Sequence, residues 1–169
     1  MPAYSFVPGG PWPHPHRASS EPSSGPVSPL HVPADADPAL VGKLLQRGVS
    51  LFNAGYYWEA HEVWESLWHF HGRRGAAAET LKGLIKLAAA GVKVREGQEH
   101  GVRTHARRAA ESFRKALDLG GPYSLGFRLL ELEAIAEVLS DDPPQCSASR
   151  FEAVVRVFPI ELEIREPEC

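Results

Sequence analysis

Through the middle of the chain, apolar residues recur every three to four positions, the spacing of helices with one buried face. Leu40, Leu44, Leu45, Val49 and Phe52 follow Asp37-Pro38, a capping carboxylate and then a proline at the position where a helix needs no N–H. Gly55 supplies a left-handed stop, and a second helix is expected over 56–70, so the first two form a short-looped hairpin. A third helix is expected over 76–95, burying Leu81, Leu84, Ile85, Ala88 and Val92. Its run Ala88-Ala89-Ala90-Gly91 would let a neighbouring helix approach closely. A fourth is expected over 99–118, with Val102, Ala106, Ala109, Phe113 and Leu117 inward, and a fifth over 124–139. Together they predict an all-α, up-and-down bundle of about five helices, with the second helix central.

The pattern changes at both ends. Residues 1–36 hold nine of the fifteen prolines and no sustained period, so they read as a disordered Pro/Gly/Ser-rich tail. The bundle domain should run over 37–140, ended by Asp141-Asp142-Pro143-Pro144. In the extension over 141–169, Ile160-Glu161-Leu162-Glu163-Ile164 alternates strictly, which points to a short strand or hairpin.

The second helix carries the unusual chemistry. Three of four tryptophans lie in Tyr56-Tyr57-Trp58-Glu59-Ala60-His61-Glu62-Val63-Trp64-Glu65-Ser66-Leu67-Trp68. At about 100° per residue, Trp68 lies about 20° from His61, Glu65 about 40°, and Trp58 and Trp64 about 60°. Tyr56, Ala60, Val63, Leu67 and Phe70 make a second apolar band, leaving Glu59, Glu62 and Ser66 as a narrow polar stripe. A helix apolar on two sides is sandwiched between neighbours, and His61 and Glu65 stand one turn apart on the aromatic face.

This H-x-x-x-E-x-x-W pattern, with Phe52-Asn53-Ala54-Gly55 before it and Leu81-Lys82-Gly83-Leu84-Ile85-Lys86-Leu87-Ala88 after it, resembles the domain-of-unknown-function family 309 over roughly residues 37–140. The resemblance implies a small all-helical domain whose shared signature is this His, Glu and Trp. Relatives commonly carry Gln where this chain has Lys82 and Lys86. The family's own name assigns no activity.

From the residues themselves, three readings of different classes arise. In the first, the protein is an interaction or ligand-binding module in which His61, Glu65 and the indoles form a buried polar and aromatic cluster. Trp68, Trp64, Trp58 and Glu62 are then the candidate binding residues, and the partner is an unknown protein or small molecule. In the second, His61 and Glu65 are catalytic in a metal-assisted hydrolase. His61-Glu62-Val63-Trp64-Glu65 compares with the zinc-protease pattern H-E-x-x-H, with a carboxylate in place of the second imidazole. His69 lies one turn further on, but three ligands along one straight helix cannot surround an ion, and His100 or His105 would have to help. No resident metal and no cofactor are therefore expected, and the balance is against an enzyme. Ser66 points about 140° from His61, so a Ser–His–Glu triad within the motif is not expected. In the third, the stripe Arg103, Arg107 and Arg114 contacts nucleic acid; it lacks interleaved aromatics, and a solvated helix face is favoured.

Composition adds bounds. A net charge of −3 argues against a dedicated nucleic-acid binder. Cys146 and Cys169 match neither a disulfide framework nor a zinc spacing. No signal-peptide pattern or membrane-length apolar run is apparent, so a cytoplasmic protein, with a homodimer open, is the expectation. Pro13-His14-Pro15-His16 reads as a flexible tail that contains histidines.

Overall fold

The computed structural model describes residues 1–14, 31–146 and 148–165. Five helices follow in chain order: α1 (Pro38–Asn53), α2 (Tyr57–Phe70), α3 (Gly75–Arg95), α4 (Glu99–Gly120) and α5 (Leu129–Asp141). Each packs mainly on its neighbours in sequence, as an up-and-down bundle does. The Asp37 carboxylate accepts from the Ala39 N–H at 2.9 Å and caps α1. Gly55, at φ 91°, reverses the chain, and a Cβ there would stand 2.8 Å from the Val155 carbonyl oxygen. Both geometry and space demand glycine. None of the helices is long and apolar enough to cross a membrane, among the described residues.

α2 is sandwiched between α1 and α3 as its two apolar bands require, but the most enclosed helix is α3, buried on nearly every side. Its small residues provide the room. Tyr57 of α2 lies where a Gly91 Cβ would stand only 2.5 Å from the ring, and Phe113 of α4 packs in the same way on Gly83. The loss of side chains at two helix positions is what lets two aromatic rings reach the α3 backbone.

Three sequence expectations are corrected. The fifth helix begins at Leu129 and not at 124, because a two-residue antiparallel pair, β1 (Tyr123–Ser124) with β2 (Phe127–Arg128), precedes it. Leu125 and Gly126, at φ 52° and 78°, make its tight turn. Second, the strand or hairpin expected over 151–164 does not form. The alternation is real: Phe158 and Leu162 are buried and Pro159, Glu161 and Glu163 exposed. The segment meets the small hairpin at its turn, where Arg165 N–H donates to the Gly126 carbonyl at 2.8 Å, and helix side chains take up other backbone groups. Asn53 donates to the Leu162 carbonyl and accepts from its N–H, both at 2.9 Å, while the Tyr57 hydroxyl accepts from Val157 N–H at 2.9 Å. The extension thus shares the bundle's core, with Phe158 stacked 5.8 Å from Phe52. Third, residues 1–14 lie against α2 and the extension, with Ser5 and Val7 buried. The rest of the expected disorder, including Pro15 and His16, falls largely on residues 15–30, outside the described residues, as does Cys169.

Replacing Asn53 by alanine should cost about 1–3 kcal/mol, because it leaves a part-buried N–H and C=O of Leu162 without their partner. A urea midpoint and amide exchange over 158–165 check it; a shifted midpoint without faster local exchange would mean that the amide acts elsewhere.

Candidate functional site

α2 places its motif residues on three different sides, and the tryptophans divide accordingly. Trp64 is fully buried towards α1, 5.8 Å from Phe52, its indole in the space that a Gly48 Cβ would fill. Trp58, on the opposite flank of His61, is the ring that stacks on it, at 6.1 Å and 20°. Trp68 meets His69 at 5.2 Å and lies under the Arg73 guanidinium at 5.3 Å. Angular nearness on one helix is therefore not enclosure. Trp58 and Trp64 lie about 120° apart around the axis, and one of them belongs to the core.

The polar part is more open than the expected buried pair. His61 and Glu62 keep 27% and 30% of their side-chain surface, and Glu65 is also half-buried. No hydrogen bond joins His61 to Glu65 among the described contacts. His61 instead approaches the neighbouring carboxylate, Nδ1 to Oε1 3.5 Å, within ion-pair range but too long for a good hydrogen bond. That Nδ1 is shielded from solvent and has no hydrogen-bond partner. One ligand-capable atom from each of His61, Glu62 and Glu65 lies within 4.8 Å of the other two. The pattern i, i+1, i+4 therefore gathers an imidazole and two carboxylates, where the sequence suggested His61, Glu65 and His69. His69 turns outward, its Nδ1 2.8 Å from Arg73 Nη2, and this removes it from the group.

Of the two imidazoles offered by α4, His100 is exposed, while His105 is half-buried with its Nδ1 shielded and unpartnered. Burial drives the His105 pKa down to about 4, helped by the charges of Lys86, Lys93, Arg108 and His61. His105 is thus a neutral imidazole at neutral pH, on the same side of the bundle as the cluster. Lys82 and Lys86 do different things. Lys82 lies 3.7 Å from Glu79, whereas Lys86 contributes to the positive field around His105.

Ser66 donates to the Val63 carbonyl at 2.6 Å, so its hydroxyl is spent on its own helix. The arginine stripe is largely consumed by α5 and its end. Arg103 binds the Ser140 and Asp141 carbonyls at 2.9 and 2.7 Å, and Arg114 binds Glu133 and Glu137. Only Arg107 of the three remains exposed without such a contact among the described residues.

The sequence reading missed Glu59, placed on the solvent stripe. It accepts from Ser5 Oγ at 2.7 Å and from Phe6 N–H at 2.9 Å, and burial raises its pKa, partly offset by those bonds. Beneath this region lies Arg95, 1% exposed, which donates to the carbonyls of Ser149 and Glu152. Its helical period gives no hint of this, because the segment around Ser149 and Glu152 that binds it comes from outside the bundle. A comparison with curated proteins finds no match to this chain. Residues 45–105, from the second half of α1 through His61, Glu65 and Trp68 to His105, match the family model described as "Domain of unknown function (DUF309)", a match that supports the resemblance over that span.

Proposed function

We propose that the protein is a small helical ligand-binding module whose ligand is a divalent metal ion held at His61, Glu62 and Glu65. The observation that carries this reading is the convergence of three ligand-capable atoms within 4.8 Å, on a histidine whose Nδ1 is shielded and has no hydrogen-bond partner. Ligands around a single ion at about 2.1 Å stand roughly 3–4 Å apart, so small side-chain rotations suffice to close the set. One nitrogen and two carboxylates suit zinc, manganese or iron(II) better than a thiol-seeking ion. A packing pair would be dry and mutually hydrogen-bonded, whereas His61 and Glu65 are half-open and share no hydrogen bond among the described residues.

Because all three ligands come from one helix, the other coordination positions face away from α2 and would take water. An open position is what metal-assisted hydrolysis needs, and a hydrolase using His61 and Glu65 is the second reading. A cytoplasmic setting belongs to the same proposal, on the support of the half-buried Cys146 thiol, unpaired among the described residues.

Calorimetric titration of chelator-treated protein with Zn²⁺ and with Mn²⁺ tests the site. One equivalent should bind, and His61→Ala and Glu65→Gln should each weaken binding by about tenfold or more while the helical circular dichroism persists. Absence of binding to the wild-type chain, together with a much lower melting temperature for His61→Ala, would return the motif to a packing role.

A further inference from the structure

The first fourteen residues form a closed loop of their own. Gly9, at φ 74°, helps turn the chain, Gly10 N–H donates to the Val7 carbonyl at 3.0 Å, and the rings of Tyr4 and Trp12 stack at 5.0 Å across the turn. This loop meets the body as a bound peptide would. Main-chain bonds fix it in place: Ser5 N–H to the Ala153 carbonyl at 2.8 Å, Phe6 N–H to Glu59 at 2.9 Å, and the Tyr56 hydroxyl to the Pro2 carbonyl at 2.9 Å. Side chains add selection. The Ser5 hydroxyl binds the other Glu59 oxygen at 2.7 Å, Phe6 sets its edge on Trp58 at 4.7 Å, and Val7 is fully buried. Yet Val7 stands outside the continuous core that α1 to α5 and the C-terminal extension share. The loop adds no residue to that core. What the loop covers on α2 is a carboxylate and an indole face, groups that water or another peptide can serve equally well.

We infer that the surface of α2 at Tyr56, Trp58 and Glu59, with the Ala153 carbonyl beside it, is a peptide-docking site. The chain's own residues 1–14 occupy it in cis, and a partner peptide with the hydroxyl–aromatic–aliphatic order of Ser5-Phe6-Val7 occupies it when that loop is displaced. Recognition then combines backbone hydrogen bonds with a few anchoring side chains, the usual economy of peptide capture. Trp58 lies between the loop and the metal-ligand candidate: Phe6 and His14 meet one part of it, at 4.7 and 5.4 Å, and His61 stacks at 6.1 Å. Exchange of the occupant therefore changes the surroundings of His61. The docking site itself stands whether or not a metal binds there.

The test uses the full chain and a fluorescein-labelled synthetic peptide of residues 1–14. A tethered loop competes at high effective concentration, so the Ser5→Ala/Phe6→Ala chain should bind the free peptide at least about tenfold more tightly than the wild-type chain does. Adding Glu59→Ala should abolish that binding. No anisotropy change with the double variant, its helical circular dichroism intact, would overturn the inference. Amide exchange of the wild-type chain decides the matter even where a variant is damaged. The Ser5 and Phe6 amides should exchange through a local opening far faster than α3 amides; exchange in step with α3 would make the loop an integral part of the fold. A wild-type dimer in light scattering that becomes monomeric in the double variant would place the loop on a second copy and overturn occupancy in cis.

Discussion

Trp64→Ala should lower the unfolding free energy by about 3–5 kcal/mol, while Trp58→Ala and Trp68→Ala should each cost about 1 kcal/mol. The three residues are chemically identical and lie within eleven positions of one helix, but only Trp64 is wholly enclosed. Its ring fills the hollow over Gly48 and touches Phe52, so truncation opens a cavity that the rigid α1–α2 contact cannot collapse. Its indole N–H has no hydrogen-bond partner, so the loss is one of shape and apolar burial. Trp58 retains solvent contact and Trp68 trades mainly an exposed cation–π contact with Arg73. Urea midpoints at constant slope measure all three. Equal losses for Trp58 and Trp64 would show that α2 is anchored as strongly through its loop-covered flank as through α1.

Acid should destabilise the fold between pH 6.5 and 4, and His105 should account for much of that loss. Its folded-state pKa is lowered to about 4 from 6.5, because burial and the neighbouring Lys86, Lys93 and Arg108 disfavour the imidazolium. The unfolded chain therefore binds a proton that the folded chain refuses. The stabilisation is complete above the unfolded pKa and is lost as pH falls towards the folded one. Full burial would make the difference about 3 kcal/mol, but the ring is only half-buried, and solvent screening reduces the expectation to about 1–2 kcal/mol. Melting temperatures of wild type and His105→Gln across this window provide the check: the variant's profile should be flatter. An equally steep profile would assign the acid sensitivity to groups other than His105.

Much of the architecture was legible because it is written in short-range terms. The Asp37-Pro38 start, the Gly55 reversal and the 3.6-residue apolar period each act within one or two turns, and α1 to α4 stand close to where they predict. The fifth helix was misplaced at its start for a like reason: Leu125 stands four residues before Leu129, in helical register with it, and only the left-handed Leu125-Gly126 turn shows that a hairpin is made there. The alternating tail carried a correct signal with a wrong partner. Period two fixes which side chains face inward, and it is silent on whether a strand or the side chains of Asn53 and Tyr57 take up the backbone groups.

The candidate site divides along the same line. By itself the sequence determined five helical segments, the helix that bears the signature, and the pairing of His61 with acidic neighbours on its surface, since helical geometry sets the angle between residues a few positions apart. Tertiary structure alone decided which neighbours matter. Glu62 and not His69 joins His61 and Glu65, because Arg73 draws His69 outward. Trp64 is core and Trp58 is site, because α1 covers one flank and the N-terminal loop the other. Glu59 is a half-buried acceptor although the wheel puts it on a polar stripe, since the groups that cover it arrive from residues more than fifty positions away. A periodic pattern records the burial of a residue by its own bundle; burial by a segment that lies across the bundle leaves no period to read.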